Sequence, residues 1–352
     1  MLGDIGATNA RFALVQHIKL SAITSFEVAN FPRFSDALRG YRDKIASEHV
    51  IRQAMFAVAG PVKDGRAVLT NANWTIDRID IENEFGFTTT VVNDFEALAH
   101  SVRSLTQKDI APIGEGRSGA RGPIAVLGPG TGLGVACLFS NPDESPVAIA
   151  SEGGHSTLAG TSDREDQIIR YLRSRFEHVS VERVVSGSGL ENLFSAIATI
   201  DGVDAARLGA AEITSRALSG HCSLCCEALG AFCAFLGAFA GNMALTFGAT
   251  GGVYVAGGIS PRIVEFMRRS EFRRRFEAKG RFQTYLRSIP SFIITHQAAT
   301  FLGLIWAERC RFSKRAQADL HLPRQASGLT DTKKGDNCGK VVNYWRGNLK
   351  SG

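Results

Sequence analysis

The 352-residue sequence contains no run of about 20 charge-free apolar residues without interruption, and its N-terminus lacks the basic, apolar and small-residue succession of a secretory leader. A membrane protein and an exported protein are therefore not expected, and a cytoplasmic location is. Seven cysteines, at 137, 222, 225, 226, 233, 310 and 338, form an odd set without framework spacing, so reduced thiols are expected. The stretch "HCSLCC" at 221–226 has no second pair at zinc-ligand spacing and runs on into a helical pattern, so no metal is assigned to it. The formal charge of +6 is also absent from most of the chain. Nine Lys or Arg against three Asp or Glu follow residue 310, and everything before is balanced, so no nucleic-acid partner is expected.

What is present, at 44% hydrophobic residues, suffices for a sizeable core. Strand-like runs fall at 11–16, 53–60, 88–94, 123–128 and 134–139, with helical periodicity at 34–48 and 94–102, an alternation that predicts an α/β architecture. After residue 150 helical patterns dominate, at 163–177, 189–200 and 226–248. The last is apolar on most sides but broken by four glycines, so it reads as a buried helix and not as a membrane span. A strand, turn and helix follow in "GGVYVAGGISPRIVEFM", then a strand at 291–296 and a helix at 298–310. Residues 311–352 show no sustained periodicity and are expected to form a basic tail without packed structure.

Five segments carry chemistry. In "GDIGATNAR" a strand bearing Asp4 turns through Gly6 to Thr8, where glycine lets backbone N–H groups approach phosphate oxygens and a carboxylate can hold hydrated Mg²⁺; a plain hairpin turn has the same composition. "LGPGTGLGVA" repeats the design around Gly130, Thr131 and Gly132, with no Gly-Lys-Ser/Thr and no following helix, which excludes the P-loop and the dinucleotide fold. "VVNDFEALAH" places Asn93 and Asp94 where a strand ends and a helix begins; Asp94 is either a helix cap or a general base. Glu152 and His155 in "ASEGGHSTL", with Glu182 further on, offer charged partners for a polyhydroxylated ligand, and the alternatives are a surface turn and a solvated helix face. In "VYVAGGISPR", Gly257 and Gly258 end a strand in a way that admits a nucleobase or ribose against the backbone, or simply make a turn.

Taken in order, "GDIGATNARFAL", "AVAGPV", "LTNANW", "VVNDFEALA", "LGPGTGLGVA", "SEGGH", "HVSVERVVSGSGLENL", "FAGNMAL", "GGVYVAGGISPR" and "ATFLGL" resemble the ATP-dependent bacterial glucokinase family, over residues 2 to about 308. The resemblance implies the actin-like ATPase (ribonuclease H-like) fold, with a smaller α/β domain at 1–105 and a larger one at 106–310 closing over a cleft. It implies that Asp94 is the base, that Asn93, Glu152, His155, Glu182 and Asn71 bind glucose, and that Gly3, Asp4, Ile5, Gly6, Ala7 and Thr8 contact ATP. Gly130, Thr131 and Gly132 would form the second phosphate loop, Gly257 and Gly258 the adenosine site, and Asp4 would reach Mg²⁺ through water. Glucose and ATP are the implied partners, and a homodimer follows from family likeness. A kinase for another hexose and a non-catalytic sugar or nucleotide sensor are the rival functions.

Three departures from the family pattern carry expectations of their own. Met1 and Leu2 alone precede the first turn, where the family places several apolar residues, so a shortened first strand and a loosened Asp4 are expected. Ala7 stands where the family commonly has Gly and is expected to strain the loop if that position needs positive φ. The stretch after residue 310 extends past the usual family end.

Overall fold

The computed structural model describes residues 1–16, 18–45, 48–69, 72–116, 122–139 and 145–310 in full, and the backbone alone over 311–321. Residues Met1–Phe312 form one compact unit.

The chain begins with β1 (Leu2–Ile5), β2 (Asn9–Ala13), the small hairpin β3 (Val15–Gln16) and β4 (Lys19–Leu20), then β5 (Thr24–Glu27). Helix α1 (Phe34–Ile45) leads to β6 (Gln53–Val58), a second hairpin of β7 (Arg66–Leu69) and β8 (Trp74–Asp77), α2 (Arg78–Phe85), and β9 (Thr88–Asn93) running directly into α3 (Asp94–Ser101). The first sheet has the order β5-β2-β1-β6-β9, antiparallel across β5, β2 and β1 and parallel across β1, β6 and β9.

Next come β10 (Ile110–Pro112), β11 (Ile124–Pro129), β12 (Leu133–Phe139) and β13 (Val147–Ser151), then the helices α4 (Asp163–Arg173), α5 (Gly187–Ile200), α6 (Ala210–Ser219) and α7 (Ser223–Phe247). The chain closes with β14 (Gly252–Val255), the short helices α8 (Val264–Arg269), α9 (Phe272–Glu277) and α10 (Gln283–Ser288), β15 (Ser291–Ile294) and α11 (Ala299–His321). The second sheet, β10-β15-β14-β11-β12-β13, repeats the first: an antiparallel three-strand meander followed by two parallel strands, with β10 added at the edge. Two mixed sheets of the same order explain why the sequence carries two glycine turns between apolar strands.

Period-two alternation sorts the first sheet's side chains between two cores. Ile5, Phe12, Phe56 and Val58 face α1 and the β7–β8 hairpin, while Leu2, Ala13, Met55, Ala57 and Val92 face the opposite way. That second face is covered by Phe301, Leu304 and Ala307 of α11, so the last helix returns to the first sheet. In exchange α3, which leaves the first sheet, packs Leu98 and Ala99 on Ile124, Val126, Ala136 and Leu138 of the second. The two helices touch where they cross: Gly303 lies so close to the Ala97 carbonyl that a Cβ would overlap it, and the His100 ring stacks on Trp306 at 5.6 Å. Helix α7 is the one described helix long and apolar enough to cross a membrane, and 67% of its most apolar stretch is buried, against α5, α6 and α9.

Two expectations are corrected. Strand β1 is short but not weakly held, because it is central and each of its residues pairs on both sides, Asp4 with Arg11 and with Ala57. The Met1 amino group adds a bond to the Gln53 carbonyl at 2.8 Å, and Met55 N–H donates to the Met1 carbonyl at 3.0 Å. Ala7 carries no strain, since the described non-glycine residues with positive φ are Ile18, Asp64 and Asn73. The backbone of α11 continues to His321, into the stretch where no periodicity is read; residues 322–352 of the expected tail lie outside the described residues.

Gly303→Val should force α11 away from Ala97 and lower the unfolding free energy by about 1–3 kcal/mol. A urea titration against the unaltered chain checks this, and an unchanged midpoint would show the crossing to be looser than drawn.

Candidate active site

A cleft of about 350 Å³ opens where the first turn, the end of β9 and the β11–β12 hairpin meet. Its walls include Gly6, Ala7, Asn93, Asp94, Gly130, Thr131, Gly132, Glu152, Glu182 and Gly257, so parts of all five segments singled out in the sequence converge there.

The end of β9 decides the chemistry. Asn93, not Asp94, is the N-cap of α3: its Oδ1 accepts from Phe95 N–H at 2.8 Å and Glu96 N–H at 3.2 Å, while its side-chain N–H donates to the Gly60 carbonyl at 2.9 Å. The capping role that could have absorbed Asp94 is therefore taken by its neighbour. Asp94 accepts only from Phe95 N–H, at 3.0 Å and shared with Asn93, and from its own amide, and its side chain lines the cleft. Burial, then the negative charge of Asp4 and more weakly of Glu152, push its carboxyl from the usual range up to about 7, against the opposing pull of the Phe95 amide and of its own.

Asp4 is ion-paired to Arg11, its cross-strand neighbour, and Arg11 also donates to the Gln297 carbonyl at 3.2 Å. One Asp4 oxygen is thus engaged by the guanidinium. Gly3 and Ile5 are strand residues on the core side, with Gly3 pressed against Phe56 and Ile5 fully buried, and Thr8 is exposed outside the cleft wall. Of the first segment, Gly6 and Ala7 reach the cleft itself.

The second glycine turn closes on itself, Gly130 N–H donating to the Gly132 carbonyl at 2.8 Å, and is tied to the start of α5 by Gly187 N–H to the Gly130 carbonyl at 2.8 Å. Glu182 supports it from the side: Oε2 accepts from Leu133 N–H at 2.8 Å. The other oxygen of Glu182 lies 4.0 Å from His155 Nδ1, and His155 Nε2 lies 4.0 Å from Glu152. Those two separations exceed hydrogen-bond length, so His155 and Glu152 keep their donor and acceptor capacity for a ligand. Gly257 has φ 83 and packs against the Pro129 carbonyl, where a Cβ would collide, while Gly258 lies exposed beside it. Asn71 lies outside the described residues. Sequence reasoning missed Phe95, Gly60 and the Glu182 to Leu133 bond; the pairing of glycines at 128 and 134 in the hairpin is the signal that could have exposed the first.

Among the described residues no group of three or more His, Cys, Asp or Glu could hold a metal ion by itself. Cys222 caps α7, its sulfur accepting from Cys225 N–H at 3.4 Å.

Two mixed sheets of one design, with glycine turns around a carboxylate at the end of a strand, fit an ATP-dependent phosphotransferase of the actin-like ATPase fold. A family model described as Glucokinase matches residues 1–310. The chain is 43% identical over 306 residues to the glucokinase of Nitrobacter hamburgensis, covering 86% of this chain and 95% of that one. It is equally similar, over 307 residues, to the Bifunctional protein glk of Burkholderia pseudomallei, of whose length it spans about half (47%). Among solved structures, a glucokinase from an Antarctic psychrotroph superposes with TM-score 0.76 at 36% identity, over 87% of this chain and 97% of that one. The glucokinase of Balamuthia mandrillaris in complex with glucose has the same fold, with TM-score 0.74 at 22% identity over 88% and 92% of the two chains. The chain belongs to the glucokinase family, and is an ATP-dependent hexose kinase that phosphorylates glucose.

Glu182→Ala removes the acceptor that holds Leu133 N–H, and a bond to a charged group is worth roughly 1.5–3 kcal/mol. The variant should bind a non-hydrolysable ATP analogue about tenfold more weakly even without sugar. Titration calorimetry reads this; unchanged affinity would mean that the loop stands unaided.

Proposed function

We propose that Asp94 is the general base of glucose phosphorylation, and that the observation carrying this role is its release from helix capping by Asn93. As the 6-hydroxyl oxygen of glucose bonds to the γ-phosphorus of ATP, the bond from that phosphorus to the β,γ-bridging oxygen breaks and ADP leaves. The hydroxyl proton passes to Asp94. A carboxyl poised near 7 suits this transfer at neutral pH, being ionised often enough to accept and basic enough to hold the proton.

Glu152, His155 and Glu182 bind the sugar hydroxyls, with the Asn93 side-chain amide beside them, and Asn71 is a further sugar ligand by family likeness. The turn at Gly6 and Ala7 and the loop of Gly130, Thr131 and Gly132 take the phosphates, and Gly257 with Gly258 takes the adenosine. Asp4 fits a magnesium ion brought in with ATP: it is an oxygen donor with one oxygen not used by Arg11, and Mg²⁺ commonly relies on one or two carboxylates plus substrate phosphates, so a larger protein cage is not required. When bound through a water to Asp4, the ion would neutralise phosphate charge. Residues 1–105 and 106–310 form the two lobes that close when sugar binds, which keeps water from the γ-phosphate. The enzyme works in the cytoplasm and pairs with a second copy of itself.

Asp94→Asn should retain glucose affinity within a few-fold and lose at least a thousandfold in kcat, read by coupled assay and by fluorescence titration of the sugar; a rate near that of the unaltered chain removes Asp94 from the reaction. Because the ionised form is the active one, kcat/KM should be level above pH 7 and fall about tenfold per pH unit well below it. A profile flat from pH 5 to 8 contradicts the assigned base.

A further inference from the structure

Phe95 follows Asp94 in the first turn of α3, and its ring leaves the cleft floor for the β11–β12 hairpin. There it meets two glycines that face each other in the ladder, Gly128 and Gly134. A Cβ on Gly128 would lie 2.5 Å from the ring's Cζ and 2.8 Å from Cε1, and one on Gly134 would overlap the opposite edge of the ring. Glycine inside a strand weakens it and marks a close approach. The approach here is by an aromatic ring from the helix that carries the catalytic base. The same residue's N–H donates to both Asn93 Oδ1 at 2.8 Å and Asp94 Oδ1 at 3.0 Å.

We propose that Phe95 is a positioning residue for phosphoryl transfer: its ring, seated on Gly128 and Gly134, fixes the first turn of α3 so that Asp94 is held against the hairpin bearing the second phosphate loop. The proposal deepens the assignment of Asp94 as base and rests on it. Without the seat, the first turn of α3 can shift while the rest of the helix stays held at Ala97, Leu98 and Ala99, and that shift moves the carboxylate while leaving Glu152, His155 and Glu182 in place. Misplacement by about 1 Å is enough to cost on the order of a hundredfold in rate. The loss should therefore appear in kcat, while the sugar KM stays nearly constant. A ring that served the core alone would instead lower stability and leave the turnover of the folded enzyme intact.

The experiment uses full-length Phe95→Ala, Phe95→Leu, Gly134→Ala and the double variant Phe95→Ala/Gly134→Ala, with Asp94→Asn beside them, each assayed with glucose and MgATP and melted by circular dichroism. Gly134→Ala, which keeps the ring but fills its seat, should lose at least tenfold in kcat with glucose KM within threefold. Phe95→Ala should lose as much, and Phe95→Leu, which still occupies part of the seat, less. Adding Gly134→Ala to Phe95→Ala should cost under twofold more, because no ring remains to be displaced. Folded single variants with kcat within twofold of the unaltered chain, or losses that multiply in the double variant, overturn the proposal. An Asp94→Asn variant of near-normal rate overturns the base assignment beneath it, a failure visible in that arm alone.

Discussion

A carboxylate at a helix N-terminus is ordinarily drawn to the free backbone N–H groups, which hold it ionised and occupied. To act as a base near neutral pH it must be kept out of that role and away from full solvation. The junction of β9 and α3 meets both conditions. Asn93 takes the capping bonds, and the Gly60 carbonyl fixes the Asn93 amide in the orientation that makes it do so. Asp94 is left half-buried at the cleft wall, where desolvation and the charges of Asp4 and Glu152 raise its proton affinity.

That junction is also where the two halves of the fold exchange helices. Helix α3 leaves the first sheet to pack on the second, and α11 leaves the second to pack on the first. Asp94 therefore sits at the root of a helix anchored in one half, while the strand before it belongs to the other. The β11–β12 turn is tied to Gly187 at the start of α5 and to Glu182, whose other oxygen lies 4.0 Å from His155.

Much of this could be read from the residues. Buried runs such as "QAMFAV" and "IAVLGP" declare strands by their continuous apolar character, and the five polar segments gather at one cleft because each ends a strand or begins a turn. The resemblance to glucokinases supplied the roles that spacing could not. Other features depend on tertiary contacts. Edge strand β5, half exposed and lightly apolar, gives little signal in a window of residues. Whether Asn93 or Asp94 caps the helix turns on a carbonyl more than 30 residues away, at Gly60. The glycines at 128 and 134 look like part of a phosphate loop until Phe95 is seen resting on them. Gly3 and Ile5 belong to the motif by sequence but to the core by the alternation of β1.

The central claim is that the fold holds the carboxyl of Asp94 protonatable near neutrality. A titration of the free enzyme by carbon NMR, with aspartate labelled at the side-chain carboxyl and the Asp94 signal assigned by its loss in Asp94→Asn, tests it without relying on turnover. A midpoint near pH 7 is predicted. A midpoint near 4, the value of an ordinary solvated aspartate, would contradict the account.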